Sequence, residues 1–283
     1  MIVTATAAAL RVELAYRRSK RETIAFVPTM GNLHAGHLRL MHEARKHANV
    51  VVASIYVNPL QFGPSEDFER YPRTPEQDRA ELERAGVDVL FMPSDREMYP
   101  RGQEAQTRVE VPGVSDILCG AARSGHFRGV TTAVNRLFNL VAPDVAVFGK
   151  KDYQQLLLIR LMVLDLGLPI EVVGVDTVRE SDGLAMSSRN QYLSAEERAR
   201  APMLYSTLCV LRERLRAREA PIPALEKQAV ERLKGQGLRP EYVSVRRQEN
   251  LGIAGSGDRE LVILGAAWLG DTRLIDNVEL VRD

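Results

Sequence analysis

Between Thr23 and Val175 the chain alternates short, almost wholly apolar runs with longer stretches whose apolar residues recur every three or four positions. Thr23 to Pro28 (TIAFVP) reads as a buried strand, and Gly36 to Ala48 as a helix with Leu38, Met41, Ala44 and Ala48 along one face. Val50 to Val57 is a second strand, Thr74 to Ala85 a helix, and Val87 to Met92 a third strand. A helix near Thr131 to Val141 precedes a strand over Asp144 to Phe148, and the apolar helix Tyr153 to Leu166 precedes a strand over Ile170 to Val175. Strands that are apolar at every position, not at alternate ones, are covered on both faces, and the intervening helices supply the covers. The pattern predicts an α/β fold: a doubly wound, Rossmann-like parallel sheet over residues 1–176, with ligands outside the carboxyl ends of its strands.

The rhythm changes after that. Ser194 with Glu197 three residues later is a capping box, and it predicts a helix running to Arg218. A second helix spans Ile222 to Lys234, and short strands follow over Tyr242 to Arg246, Glu260 to Leu264 and Thr272 to Asn277. Residues 177–283 therefore read as a smaller α+β domain, expected to close over the active site. The segment Asn58 to Arg73 is long, polar and carries three prolines, which suits a binding loop or lid.

Charge narrows the partners. The 38 Lys and Arg against 37 Asp and Glu leave a net charge of +1 over 283 residues, so no basic excess calls for nucleic acid or a membrane surface. No apolar run approaches the roughly 20 residues that span a bilayer. The N-terminal MIVTATAAALRVELAYRRSK sets its apolar stretch before its basic cluster, the reverse of a secretory signal. Cys119 and Cys209 form no CxxC pair and suit a reducing compartment. The expectation is a soluble cytoplasmic protein.

Three motifs carry the chemistry. Pro28-Thr-Met-Gly-Asn-Leu-His-Ala-Gly-His37 follows a strand and opens a helix. Gly31 and Gly36 allow close backbone approach, and a helix start presents free N–H groups and a positive dipole to an anion. His34 and His37, three apart, can face one spot and donate to phosphate oxygens as charge develops. A metal reading is disfavoured, because the HExxH signature is absent. Phe148-Gly-Lys-Lys-Asp152 ends a strand; Gly149 permits close ligand packing, Lys150 or Lys151 can meet phosphate, and Asp152 can accept from ribose hydroxyls. Met186-Ser-Ser-Arg-Asn190 offers two hydroxyls and a guanidinium to β- and γ-phosphates. A charged loop and a polar interdomain turn are the plainer readings of the last two motifs.

The pairing of HxGH with a later Met-Ser-Ser-Arg resembles the HIGH and KMSKS signatures of adenylate-forming nucleotidyltransferases. Within that superfamily PTMGNLHAGH, YVNPLQFGPSEDFERYPRT, GHFRGVTTAVNRLFNLVAPDVAVFGKKDYQQL, VRESDGLAMSSRNQYL and AAWLGDTRLIDN resemble the pantothenate synthetase family, in order, from about residue 20 to 278. Lys150 departs from that family, which often carries an acidic residue there.

The resemblance implies ATP-dependent condensation of (R)-pantoate with β-alanine through a pantoyl adenylate, with AMP and pyrophosphate released. It implies catalytic roles for His37, His34, Lys151 and Arg189, with His37 the proton donor at the α-phosphate. It implies ATP binding by Met30, Gly31, Asn32, Leu33, His34, Ala35, Gly36 and His37, by Gly149, Lys150, Lys151 and Asp152, and by Val178, Met186, Ser187, Ser188 and Arg189. Gln61 and Gln155 would bind pantoate, with Gln61 also where β-alanine arrives, and Asn58, Arg123 and His126 would neighbour that pocket. Mg²⁺ would accompany the nucleotide, its ligands unknown, and the family suggests a homodimer. The rivals are a nucleotidyltransferase that retains AMP in its product, a tRNA synthetase fragment and a nucleotide sensor.

Overall fold

The computed structural model describes residues 1–64 and 66–282; Ser65, inside the segment read as a loop, and Asp283 lie outside the described residues. The chain divides into two compact units, one of Met1–Lys150 with Gln155–Asp176, the other of Lys151–Gln154 with residues 177 onward.

The first unit holds six parallel strands: β1 (Ile2–Thr4), β2 (Ile24–Thr29), β3 (Val50–Ile55), β4 (Val89–Phe91), β5 (Val145–Gly149) and β6 (Glu171–Val175). Their order is β1-β4-β3-β2-β5-β6. Helices α1 (Ala7–Ser19), α2 (Ala35–His47), α3 (Pro75–Arg84), α4 (Asp95–Met98), α5 (Cys119–Ala122), α6 (His126–Val141) and α7 (Tyr153–Asp165) belong to the same stretch of chain. The fully apolar strands do what their composition requires: Ala25, Val27, Val51, Ala53, Leu90 and Val147 are buried, packed with Met41 and Ala44 of α2 and Leu82 of α3. Each large aliphatic side chain so buried contributes roughly 1.5–3 kcal/mol.

Four of these elements escaped the pattern: β1, α1 and the four-residue helices α4 and α5. Ile2–Thr4 adds an edge strand parallel to β4, and α1 follows it, N-capped by the Thr6 hydroxyl accepting from the Ala9 amide at 3.2 Å. A three-residue strand with two exposed positions, then a helix burying only Leu10 and Leu14, leaves little periodic signal.

The second unit contains α8 (Ala195–Arg200), α9 (Met203–Arg216) and α10 (Ile222–Gly235), with the antiparallel strands β7 (Arg239–Arg247), β8 (Glu260–Leu269) and β9 (Thr272–Val281). The expected capping box is present, Ser194 accepting from the Glu197 amide and Glu197 from the Ser194 amide. The single helix expected from Ser194 to Arg218 is instead two. Pro202 stands between them; it has no N–H to continue the ladder, and its ring crowds the preceding turn. The strands run longer than expected, because β8 and β9 pair without interruption from Glu260 with Val281 to Leu269 with Thr272.

Candidate active site

In the first sheet the chain runs outward from β2 through β3 to β4, then returns to place β5 on the other side of β2. The carboxyl ends of β2 and β5 thus flank the point where the winding reverses, which is where open α/β sheets bind ligands. The HxGH segment leaves β2 there, and Gly149 ends β5 there. A side chain at Gly149 would meet nothing within 4 Å, so the strand end borders open space.

The helix start is built differently from expectation. His34 is the N-cap of α2, and its Nδ1 accepts the Gly36 amide at 3.1 Å. The His37 Nδ1 accepts the His34 amide at 3.3 Å, so two imidazoles close a capping box normally made by hydroxyl and carboxylate. The rings lie against each other, centroids 4.1 Å apart. A neutral imidazole that accepts at Nδ1 carries its proton at Nε2. Both rings are therefore held as Nε2–H donors.

The free backbone amides expected at this terminus are largely spent. Gly31 donates to Thr29 Oγ1 at 3.2 Å, and Asn32 and Leu33 donate to the Asp78 carboxylate at 2.9 and 2.8 Å. The amides of His34 and Gly36 go to the imidazoles, and that of His37 to the His34 carbonyl at 2.8 Å. The donors of this helix start are consequently its imidazoles more than its main chain. Asp78, on α3 and 1% exposed, also accepts from the Thr74 hydroxyl at 3.2 Å. Gly31 has φ +79°, and a Cβ there would stand 2.9 Å from Asp78 Oδ2. Only glycine allows both that turn and that carboxylate.

Beside the loop, Gln61 ends the short helical turn Pro59–Gln61, with its Nε2 3.1 Å from Met30 Sδ. Its carbonyl accepts from His126 Nδ1 at 2.7 Å, and His126 Nε2 lies 2.9 Å from Arg123 Nη1. A carbonyl can only accept, so His126 carries its proton on Nδ1 and takes the arginine hydrogen at Nε2. Arg123 also clasps Glu66 with two bonds, 2.8 and 2.5 Å, tying α5 to the proline-rich loop. Burial pushes the Glu66 carboxyl up, but the Arg123 guanidinium outweighs it and holds the group below its ordinary value. Asn58 is 2% exposed, with its amide bonded to Tyr99, Leu60, Gly129 and Gln61. Gln155 sits half-buried on the first turn of α7, and the Lys150 ammonium meets Asp176 at 2.9 Å.

In the second unit, Met186 donates its amide to the Val178 carbonyl at 3.0 Å, and Arg179 bridges to Ala185, so residues 178–186 form a tight return. Ser187 then caps the turn Ser188–Tyr192, its hydroxyl accepting from the Arg189 amide at 3.3 Å. Asp276 on β9 holds the return from behind through a bidentate pair with Arg179, at 2.7 and 2.9 Å, while Arg179 lies 3.4 Å from the centre of the Tyr205 ring. Burial alone lowers the Arg179 pKa, but Asp276 raises it further, so the ion pair persists. Asn277 donates to the Lys151 carbonyl at 2.9 Å, and Lys151 Nζ lies 3.9 Å from Asp152. Two adjacent residues in the middle of β9 thus anchor both the residue 178–186 return that leads into the Met186–Arg189 turn and the Lys151 backbone. Sequence reasoning missed Asp78, Glu66, Tyr99, Asp276 and Asn277 as site supports. The Leu274–Asn277 run (LIDN) was visible as a motif but carried no role.

Among the described residues no group of three or more His, Cys, Asp or Glu side chains is placed to hold a metal ion. Among them, too, no helix is long and apolar enough to cross a membrane.

With that geometry in hand, comparison with known proteins is specific. The family model described as pantoate-beta-alanine ligase matches residues 2–279. The pantothenate synthetase of Thioalkalivibrio sulfidiphilus is 58% identical over 273 residues, covering 96% of each chain. The crystal structure of pantothenate synthetase from Thermus thermophilus superposes with a TM-score of 0.91 at 48% identity, covering 98% of this chain and 99% of that one. A Francisella tularensis pantoate-beta-alanine ligase, crystallised with a β,γ ATP compound and β-alanine, superposes with a TM-score of 0.81 at 32% identity, covering 98% and 97%.

Proposed function

The chain belongs to the pantoate-beta-alanine ligase family, and from that membership we infer that it condenses pantoate with β-alanine at the expense of ATP. A carboxylate is a poor electrophile, and an amine does not displace oxide from it. In the first step a pantoate carboxylate oxygen attacks the α-phosphorus, and the bond to pyrophosphate breaks. In the second the β-alanine nitrogen attacks the acyl carbon, the bond to AMP breaks, and the nitrogen loses a proton.

The observation that carries the reading is the imidazole pair. The two Nδ1 acceptor bonds leave Nε2–H donors on His34 and His37 at the start of α2, where charge grows on an attacked phosphate. His37 is assigned the α-phosphate and His34 stands beside it. Because both rings are already oriented by the main chain, little reorganisation accompanies the reaction. Met30 to His37 and Gly149 to Asp152 line the nucleotide in this reading, Asp152 toward the ribose. Lys151, Val178 and Met186 to Arg189 complete its contacts, and Lys151, Ser187 and Arg189 neutralise phosphate charge. Gln61 and Gln155 bind pantoate. Asn58, Arg123 and His126, whose polar groups bond within the protein, support that pocket.

Mg²⁺ fits as an ion carried by the nucleotide. It typically binds phosphates with few protein carboxylates. When bound it shares the neutralisation of phosphate charge. Closure of the smaller unit and the proline-rich loop would keep water from the adenylate. The balance of charges and two thiols outside any disulfide support a cytoplasmic location, and a homodimer is inferred from the family resemblance alone.

An AMP-release assay with pantoate and β-alanine omitted in turn tests the assignment. AMP should form only with both present, while pantoate alone should support exchange of labelled pyrophosphate into ATP. Exchange without pantoate, or AMP retained in the product, would point to another transferase.

A further inference from the structure

We propose that Asn58, braced by the hydroxyl of Tyr99, is a positioning residue that sets the polarity of Gln61: it occupies the Gln61 side-chain oxygen and turns the Gln61 amide hydrogens toward pantoate. The proposal rests on the reading that Gln61 contacts pantoate.

The orientation of Asn58 follows from groups that cannot reverse. Its Oδ1 accepts the Leu60 main-chain amide at 3.2 Å, and its Nδ2 donates to the Gly129 main-chain carbonyl at 3.1 Å. Flipping the amide would oppose donor to donor and acceptor to acceptor in a side chain that is 2% exposed. Oδ1 takes a second hydrogen from Tyr99 at 2.6 Å. Tyr56, whose hydroxyl donates to Asp95 at 2.9 Å, packs edge-on against the Tyr99 ring. Burial raises the Tyr99 pKa well above its ordinary value, so that hydrogen stays in place. The remaining Nδ2 hydrogen meets Gln61 Oε1 at 3.0 Å. All four hydrogen-bonding positions of the Asn58 amide are then filled from within the protein.

Gln61 inherits its polarity from this arrangement. Its Oε1 is engaged, and its Nε2 contacts Met30 Sδ at 3.1 Å. A thioether is a weak acceptor, so a substrate oxygen replaces it readily. The main chain of the turn is equally constrained. The Gln61 carbonyl accepts from His126, and a Cβ at Gly129 would stand 2.1 Å from the Leu60 carbonyl oxygen, so α6 seats the turn only because residue 129 is glycine. An amide presented by its hydrogens favours the hydroxyl and carboxylate oxygens of pantoate. It offers nothing to the ammonium group of β-alanine.

The test is steady-state kinetics on the full chain for Tyr99→Phe, Asn58→Asp, Gln61→Ala, Gln61→Glu and the double variant Tyr99→Phe with Gln61→Ala, read with melting temperature. Tyr99→Phe and Asn58→Asp should each raise the KM for pantoate by about tenfold, with KM for ATP and β-alanine unchanged. In the Gln61→Ala background Tyr99→Phe should add nothing, since its effect passes through Gln61. Gln61→Glu, which shows pantoate an anion, should be worse than Gln61→Ala. Equal effects of Tyr99→Phe in both backgrounds, or a rise in all three KM values, would mean a merely structural tyrosine and would overturn the relay. If Gln61→Ala raises the pantoate KM but Tyr99→Phe and Asn58→Asp do not, the relay fails and the contact stands. An unchanged pantoate KM in Gln61→Ala would sink the underlying contact itself.

Discussion

Asp78→Asn offers the sharpest check on how the imidazole loop is held. The native carboxylate accepts two main-chain amides, from Asn32 and Leu33, on separate oxygens, with 1% of the residue exposed. Asparagine keeps one oxygen and sets an NH2 group against the other amide. Orphaning one buried donor costs about 1–3 kcal/mol. Unfolding entropy is about 2.1 cal/mol/K per residue, so the first unit, Met1–Lys150 with Gln155–Asp176, carries about 0.36 kcal/mol/K. The melting temperature should therefore fall by roughly 3–8 °C. The kinetic effect should be larger than the thermal one, because Asn32 and Leu33 directly precede His34. A displacement of the rings by about 1 Å costs on the order of 100-fold in rate. Calorimetry and pyrophosphate–ATP exchange with pantoate alone measure the two effects separately. Asp78→Ala, which orphans both amides, should exceed Asp78→Asn in each. A variant Asp78→Asn that melts and exchanges like the wild type would refute the claim that this carboxylate sets the loop.

Other expectations follow from the same contacts. His37→Asn can still cap through its side-chain oxygen but lacks the Nε2 donor; helix content should survive while adenylation falls at least about 100-fold, and near-normal exchange would exclude the assigned role. Asn277→Ala removes the bond to the Lys151 carbonyl and should raise the KM for ATP up to about tenfold with pantoate KM unmoved, as initial-rate kinetics would show. Glu66 has a folded pKa lowered from 4.5, so its clasp on Arg123 stabilises fully above that value and is lost as pH falls through the lower folded value. The stability gap between the wild type and Glu66→Gln should be constant near neutrality and close in acid; a gap independent of pH would show that the charge contributes nothing.

The sheet was legible because its strands are apolar at every position, a pattern that neither a half-solvated strand nor a surface helix produces. Legibility ended where tertiary context decides. Ile2–Thr4 becomes a strand only because β4 offers it an edge. The Ser194 to Arg218 helix was read through Pro202, although proline there removes a ladder bond; apolar periodicity on both sides masked the break. In the site, the spacing of His34 and His37 announced a shared face, but not that the two rings would together close the capping box of α2. Asp78 lay hidden in a polar helix, Glu-Gln-Asp-Arg, with nothing to separate a buried acceptor from a solvated acid. The resemblance set Asn58 beside the pantoate pocket but could not show its four bonds, which come from residues as distant in sequence as Tyr99 and Gly129.

The ion pair between Arg179 and Asp276 also imposes an order on synthesis. Its partners are 97 residues apart, so at about 5–20 residues per second the arginine leaves the ribosome roughly 5–20 s before its carboxylate exists. Until β9 emerges, the Met186–Arg189 turn lacks its anchor. A nascent chain can complete the parallel sheet and the imidazole pair early, yet lack the later motif proposed above to hold phosphate. Premature release of a half-made chain should therefore yield a folded first unit that does not waste ATP.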